Sequence, residues 1–227
     1  GVSYLVQIPL TLQRALADPV ILAVPMYILM GEILYRGRIG QQLFDVANAW
    51  VGRLRGGTGV SAVTAFTFFA AIVGSSMASV LTIGRIALPE MEKVGYPKRL
   101  SYGLSVVGGS LGILIPPSIP LILYASLAEV SPADLFIAGI LPGLLIAALL
   151  AVWAMIASPR VPAGSGGRWS AGHALRITLR ALPDLSLPFF FIDTVTTEIY
   201  TPTEAAGVGV VLALLLTLVV RRSLRLS

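Results

Sequence analysis

The chain contains no cysteine and a single histidine, His173. Disulfides, thiolate metal centres, cysteine nucleophiles and paired-histidine metal sites are therefore excluded within it. Charge is also scarce, at 12% of 227 residues, where an ordinary soluble domain carries about 25%. No glycine-rich loop leads into Lys-Ser or Lys-Thr, and no Ser/His/Asp set can be gathered at one depth. Nucleotide hydrolysis and triad hydrolysis both lack their parts, so no enzymatic activity is expected, and no organic cofactor.

Apolar residues are abundant, at 56% of the chain with a mean hydropathy of +0.87. Stretches 19–35, 133–157 and 205–220 each approach the roughly 20 residues that carry a helix across a hydrocarbon core. Lys and Arg outnumber Asp and Glu by 16 to 11. These cations flank apolar runs and form no stripe interleaved with aromatics, so they indicate membrane topology and a lipid bilayer, with no nucleic acid as partner. An all-α polytopic membrane protein follows. The chain opens at Gly1 without an initiating Met or a signal peptide and stops in a basic cluster after an apolar run, which leads us to expect a fragment.

Cations favour the cytoplasmic side of short loops and so test a path through the bilayer. A membrane helix over 19–35 enters beside Asp18 and exits toward Arg36, Arg38, Arg53 and Arg55. Segment 39–54 mixes Leu43, Phe44, Ala47, Trp50, Val51 and Leu54 with Gln41, Gln42, Asp45 and Asn48 at helical spacing, which suits an interfacial helix. Segment 58–91 is apolar but interrupted by Gly74-Ser75-Ser76, and its second arm is too short to span, which favours a re-entrant hairpin entered from the cytoplasm. Segment 101–127 crosses outward as a helix broken at Pro116, Pro117 and Pro120, and 133–157 crosses back. A cytoplasmic linker over 158–182, a connecting helix from Pro183 and a further helix from Ala205 complete the path. Residues 1–182 and 183–227 are the two expected units.

A re-entrant hairpin brings two opposed helix ends to its tip, one with free carbonyls that suit Na⁺ and one with free N–H groups that suit a carboxylate. Gly74 permits a turn and close approach, while Ser75 and Ser76 add hydroxyls. The plainer alternative is a tight turn between packed helices. Pro116, Pro117 and Pro120 cannot donate, so a helix through them leaves carbonyls at Gly112, Ile113 and Pro116 in need of a cation, water or a side chain. With Gly108, Gly109 and Gly112 nearby, an unwound centre could face the hairpin tip, as in many secondary transporters. A simple proline kink is the alternative here. Asp193 and Glu198 are carboxylates at depth that should face a cavity or be neutralised. Glu32 can snorkel or pair, and Thr201-Pro202-Thr203-Glu204 has the form of a helix N-cap.

The motifs around Ala23, Glu32, Gly52, Gly57, Gly74 to Ser79, Gly95, Tyr96, Gly112 to Ser118, Leu135 to Gly143 and Thr201 to Ala206 run in an order that resembles the large membrane subunit of TRAP (tripartite ATP-independent periplasmic) transporters. The resemblance implies the first inverted repeat of an elevator-type carrier, with Na⁺ as coupling ion, a small membrane subunit, a periplasmic solute-binding protein and a carboxylate substrate such as a C4-dicarboxylate. It implies the bacterial inner membrane. Carried over, Gly74, Ser75, Ser76, Gly108, Gly112, Pro116, Pro117 and Ser118 would hold Na⁺, and Ser75, Ser76, Ser79 and Ser118 would meet the substrate. By the same comparison a leading helix and the second repeat are missing, so the chain alone is expected to be inactive. Arg85 stands where the family has a small or uncharged residue, and 193–198 replaces a glycine-rich stretch. A symporter that needs no binding protein, or a non-transporting scaffold fragment, would also fit these residues.

Overall fold

A computed structural model describes residues 19–159, 171–196 and 200–220, with Pro9 in addition. The described residues form helices and turns, with no strand among them. Helix α1 (Pro19–Arg36) turns through 67° into α2 (Ile39–Val51), with Arg38 in the left-handed region at the bend. After a turn comes α3 (Gly57–Val73). Helix α4 follows in three contiguous pieces, Ser76–Ser79, a π-helical turn at Val80–Gly84, and Arg85–Lys93. Helix α5 (Lys98–Ser110) tightens into a 3-10 turn at Leu111–Ile113, and α6 (Ile119–Ala128) resumes after five residues. Helices α7 (Pro132–Ala157), α8 (Ala171–Thr196) and α9 (Pro202–Leu215), the last running on into a π-helical turn at Leu216–Val220, complete the described helices.

The core is built around α3, where thirteen of seventeen residues are buried, among them Phe66, Phe69, Ile72 and Val73. No charged residue lies on this helix, and the Ser61, Thr64 and Thr67 hydroxyls donate to carbonyls of their own helix, so it behaves as an apolar rod that is stable when neighbours cover it on all sides. Here α2, α5, α7 and α8 do so, while α1 pairs mainly with α9. Helix α2 buries Ile39, Leu43, Phe44 and Ala47 and exposes Gln41, Asp45 and Asn48, as its spacing requires. It ends at Val51, earlier than residue 54, because Gly52 to Gly57 form a turn. Trp50, on its exposed side, donates from Nε1 to Thr178 Oγ1 of α8 at 2.9 Å.

Helix α7 buries only Phe136, Gly143, Ala147 and Ala154, a single seam, and turns its other apolar side chains outward. It is the one described helix long and apolar enough to cross a membrane alone, and α1 with α2 passes the same test only as a bent pair. Spacing of apolar residues placed a boundary between 182 and 183, between linker and helix. The structure has none: α8 runs unbroken through Pro183 and Pro188. Proline removes one helical hydrogen bond, here the one the Leu179 carbonyl would accept, and the helix continues past it, with Ser186 Oγ donating to the Pro183 carbonyl at 2.8 Å. Residues 160–170 of the expected linker, residues 197–199 with Glu198, and the side chain of Asp193 lie outside the described residues.

Candidate functional site

The most concentrated departure from regular helix lies where the turn between α3 and α4 meets the gap between α5 and α6. Gly74 closes α3 in the left-handed conformation, φ 66°, donating to the Ala70 carbonyl at 3.1 Å. A glycine in this conformation after a helix is a common stop signal. Ser75 is extended and caps α4, its Oγ accepting from Ala78 N–H at 3.5 Å. Ser79 Oγ, one turn on, donates to the Ser75 carbonyl at 2.8 Å.

Across from it, α5 stops because Pro116 and Pro117 offer no N–H to continue the ladder. The peptide bond between these prolines is cis. Ser118, extended like Ser75, caps α6 by accepting from Leu121 N–H at 3.4 Å, and its own proton goes to the Ile113 carbonyl at 2.8 Å. Ser118 is fully buried. The two interruptions thus share one design, a bend followed by an extended serine that starts the next helix.

They are also joined. Ile119 N–H donates to the Gly74 carbonyl at 3.2 Å, a bond between residues 45 apart in sequence. The Pro117 carbonyl oxygen lies so close to Gly74 that a Cβ there would overlap it. At Gly112 a Cβ would stand 2.8 Å from the Ser75 carbonyl, and at Gly109 it would stand 3.3 Å from that of Ser76. Among the described residues the carbonyls of Gly112, Pro116 and Pro117 accept no hydrogen bond, although all three residues are buried. Buried carbonyls are rarely left so, and neutral oxygens of this kind, with the hydroxyls of Ser75 and Ser76, are a donor set that fits a hard monovalent cation.

Of the sequence-derived site residues, Gly74, Ser75, Ser76, Gly112, Pro117 and Ser118 come together, with Pro116 adjoining them. Gly108 does not reach the junction. Its close approach is to the ring of Phe66 on α3, where a Cβ would stand 2.6 Å from Cδ2. Ser79 and Ser118 are present, but each spends its one proton inside the chain, which leaves only lone pairs for a ligand. Two features carried no side-chain signal in the sequence: the amide of Ile119, a backbone donor, and the π turn Val80–Gly84 behind the tip. Asp184 on α8 is fully buried, a carboxylate between apolar neighbours in sequence.

Among the described residues, no carboxylate or cation belongs to the junction. The Arg85 guanidinium, two turns beyond the tip, is exposed and donates to the Tyr35 hydroxyl at 3.0 Å. Glu32 pairs with Arg36 at 2.7 Å on an exposed face, a contact of small energetic weight. Tyr27 on α1 is fully buried with its ring 5.9 Å from that of Phe191, and its hydroxyl has no hydrogen-bond partner among the described residues.

Several known proteins are similar to this chain. A C4-dicarboxylate TRAP transporter large permease protein, DctM of Pseudomonas aeruginosa, is 40% identical over 212 residues, covering 91% of this chain and 48% of the relative. The ectoine/5-hydroxyectoine TRAP transporter large permease protein UehC of Ruegeria pomeroyi is 38% identical over 207 residues, with the same coverage of each. The ectoine TRAP transporter large permease protein TeaC of Halomonas elongata is 37% identical over 209 residues, again covering 91% and 48%. The chain spans about half the length of the curated relatives it matches. The family described as tripartite ATP-independent periplasmic transporter, DctM component, matches residues 4–227. This chain therefore belongs to the DctM component family of the tripartite ATP-independent periplasmic transporters, a family of membrane-integral transport permeases and not of enzymes.

Proposed function

We propose that the complete protein takes up a small organic acid across the bacterial inner membrane by Na⁺ symport, and that this chain supplies one half of its ion and substrate site. The observation that carries the reading is the junction itself, where the turn at Gly74 is bonded to the gap before Ile119 and buried carbonyls are left without donors. Na⁺ would be held by carbonyls of Gly112, Pro116 and Pro117 with the Ser75 hydroxyl, all neutral oxygens. The carboxylate would sit at the start of α4, where free N–H groups and the positive end of the helix dipole favour an anion. Ser75 and Ser76 are its side-chain donors in this reading, since their protons are uncommitted among the described residues, whereas those of Ser79 and Ser118 are spent. A C4-dicarboxylate and ectoine, the solutes named for the relatives, share a carboxylate that such a site would grip.

In this reading residues 57–93 are a re-entrant hairpin, 98–128 a helix broken near the midplane, and the whole is the first inverted repeat of an elevator-type carrier. A small membrane subunit and a periplasmic solute-binding protein complete the complex, as the family to which the chain belongs implies. Ion coupling follows physically because a cation bound beside the carboxylate offsets its charge, so each ligand raises the affinity for the other. The test is uptake of labelled carboxylate into vesicles that hold the complete complex and its binding protein. Accumulation should require an inward Na⁺ gradient and should fall at least tenfold in K⁺. Equal accumulation with and without Na⁺ would end the sodium assignment.

A further inference from the structure

At the end of α5 away from the junction, α5 and α7 diverge over a groove of ≈ 500 Å³ lined by Leu100, Gly103, Leu104, Val107, Leu150 and Trp153. Its walls are apolar, and the one charged residue on them is Arg99, at the end where α5 begins. Lys98 adjoins Arg99 and is exposed. Gly56 packs on the backbone of Ala154 and Met155, which brings the exposed Arg55 to the same end of α7. The groove is therefore apolar along its length and basic at one mouth, with the exposed indole of Trp153 on its rim.

We infer that this groove holds one acidic phospholipid, one of its two acyl chains along α5 and α7 and its phosphate beside Arg99 and Lys98. Three properties select a lipid over a polypeptide. A helix about 10 Å across and 5.4 Å per turn would fill ~420 Å³ with each turn, so the groove admits little more than one turn. A linear hydrocarbon chain suits such a shape. Backbone N–H and C=O groups laid along these walls would find no partners, whereas methylene groups need none. Basic pockets between membrane helices on the cytoplasmic side attract anionic headgroups, and tryptophan favours the same depth. The site is separate from the junction and does not depend on which solute is carried.

Native mass spectrometry of the full-length protein tests it, with phosphatidylglycerol and phosphatidylethanolamine of identical acyl chains as probes. Wild type should retain one phosphatidylglycerol about 30-fold more tightly than phosphatidylethanolamine, the factor that two basic residues beside an anionic headgroup are worth. Arg99→Gln, which leaves Lys98, should cut that preference to about fivefold. Gly103→Phe should reduce the occupancy of both lipids, since a Cβ at Gly103 meets nothing within 4 Å and the ring would fill the groove without disturbing packing. Arg38→Gln, which removes an exposed cation from the bend between α1 and α2, should leave the preference unchanged. Equal retention of the two lipids by wild type, equal losses in Arg99→Gln and Arg38→Gln, or unchanged occupancy in Gly103→Phe would each overturn the proposal.

Discussion

At Gly74 two constraints fall on one position, a φ of 66° and a Pro117 carbonyl oxygen where a Cβ would be placed. Gly95 shares the first constraint but not the second: its φ is 83°, and a Cβ there meets nothing within 4 Å. Gly95→Ala should therefore cost only the left-handed backbone penalty of about 1–2 kcal/mol. Gly74→Ala should cost that and more, because Pro117 and with it the cap of α6 must shift. Denaturation of the purified protein in detergent measures both variants. Equal losses would mean that the Pro117 contact carries no weight. Gly74 is conspicuous in the sequence, but nothing local to it identifies Pro117 as its neighbour.

Two elements, α4 and α6, begin the same way, on an extended serine after a bend, and the second is the more heavily used. Ser118→Ala removes a cap worth about 1 kcal/mol and takes from the Ile113 carbonyl its hydroxyl donor, a hydrogen bond worth about 1 kcal/mol more. Thermal unfolding should show a larger loss for Ser118→Ala than for Ser75→Ala, whose hydroxyl accepts one long bond. A third cap opens α9, in the turn ahead of its apolar stretch. Thr201 N–H donates to the Glu204 carboxylate at 2.8 Å, and the Thr201 hydroxyl does so at 2.9 Å. These bonds hold the Glu204 carboxyl below its usual range. A group whose pKa is depressed by folding contributes stability that is present above its unfolded pKa and lost as pH falls through the folded one. The start of α9 should thus fray below the ordinary carboxylate range, seen as lower amide protection factors relative to the intrinsic exchange rate at the same pH. Thr201→Ala should show the lower protection already at neutral pH. The Thr201 cap is legible in the sequence because its pattern is local, and the boundary expected at 182/183 falls inside α8 for the converse reason. Proline is a strong local stop, but the surrounding bundle kept the helix continuous.

For the molecule as a whole, the outward apolar surface of α7 separates a membrane protein from a soluble one. Leu145, at the middle of that helix, is 59% exposed. On a water-facing surface Leu145→Arg would be close to neutral. At the centre of a bilayer an arginine costs about 2.5–3.5 kcal/mol on the insertion scale. The variant should therefore lower the membrane-integrated yield sharply, whereas Asp134→Arg, in the first turn of the same helix, should not. Membrane fractionation of tagged proteins distinguishes them, and equal yields would contradict a lipid-facing α7.

The membrane class of the chain, its family and the interruptions at Gly74 and at Pro116-Pro117 were determined by sequence alone. Apolar excess, flanking cations and the Gly-Ser and Pro-Pro interruptions act over a few residues, and one-dimensional patterns report such local preferences faithfully. The tertiary structure decided which of those interruptions touch. It brought Gly74 to Ile119 and Gly112 to Ser75, turned Gly108 away toward Phe66, and committed the protons of Ser79 and Ser118 within the chain. The physical reason is that a carbonyl or amide is identical at every position along a sequence. Which of them are left without a partner depends on what the rest of the chain packs against them.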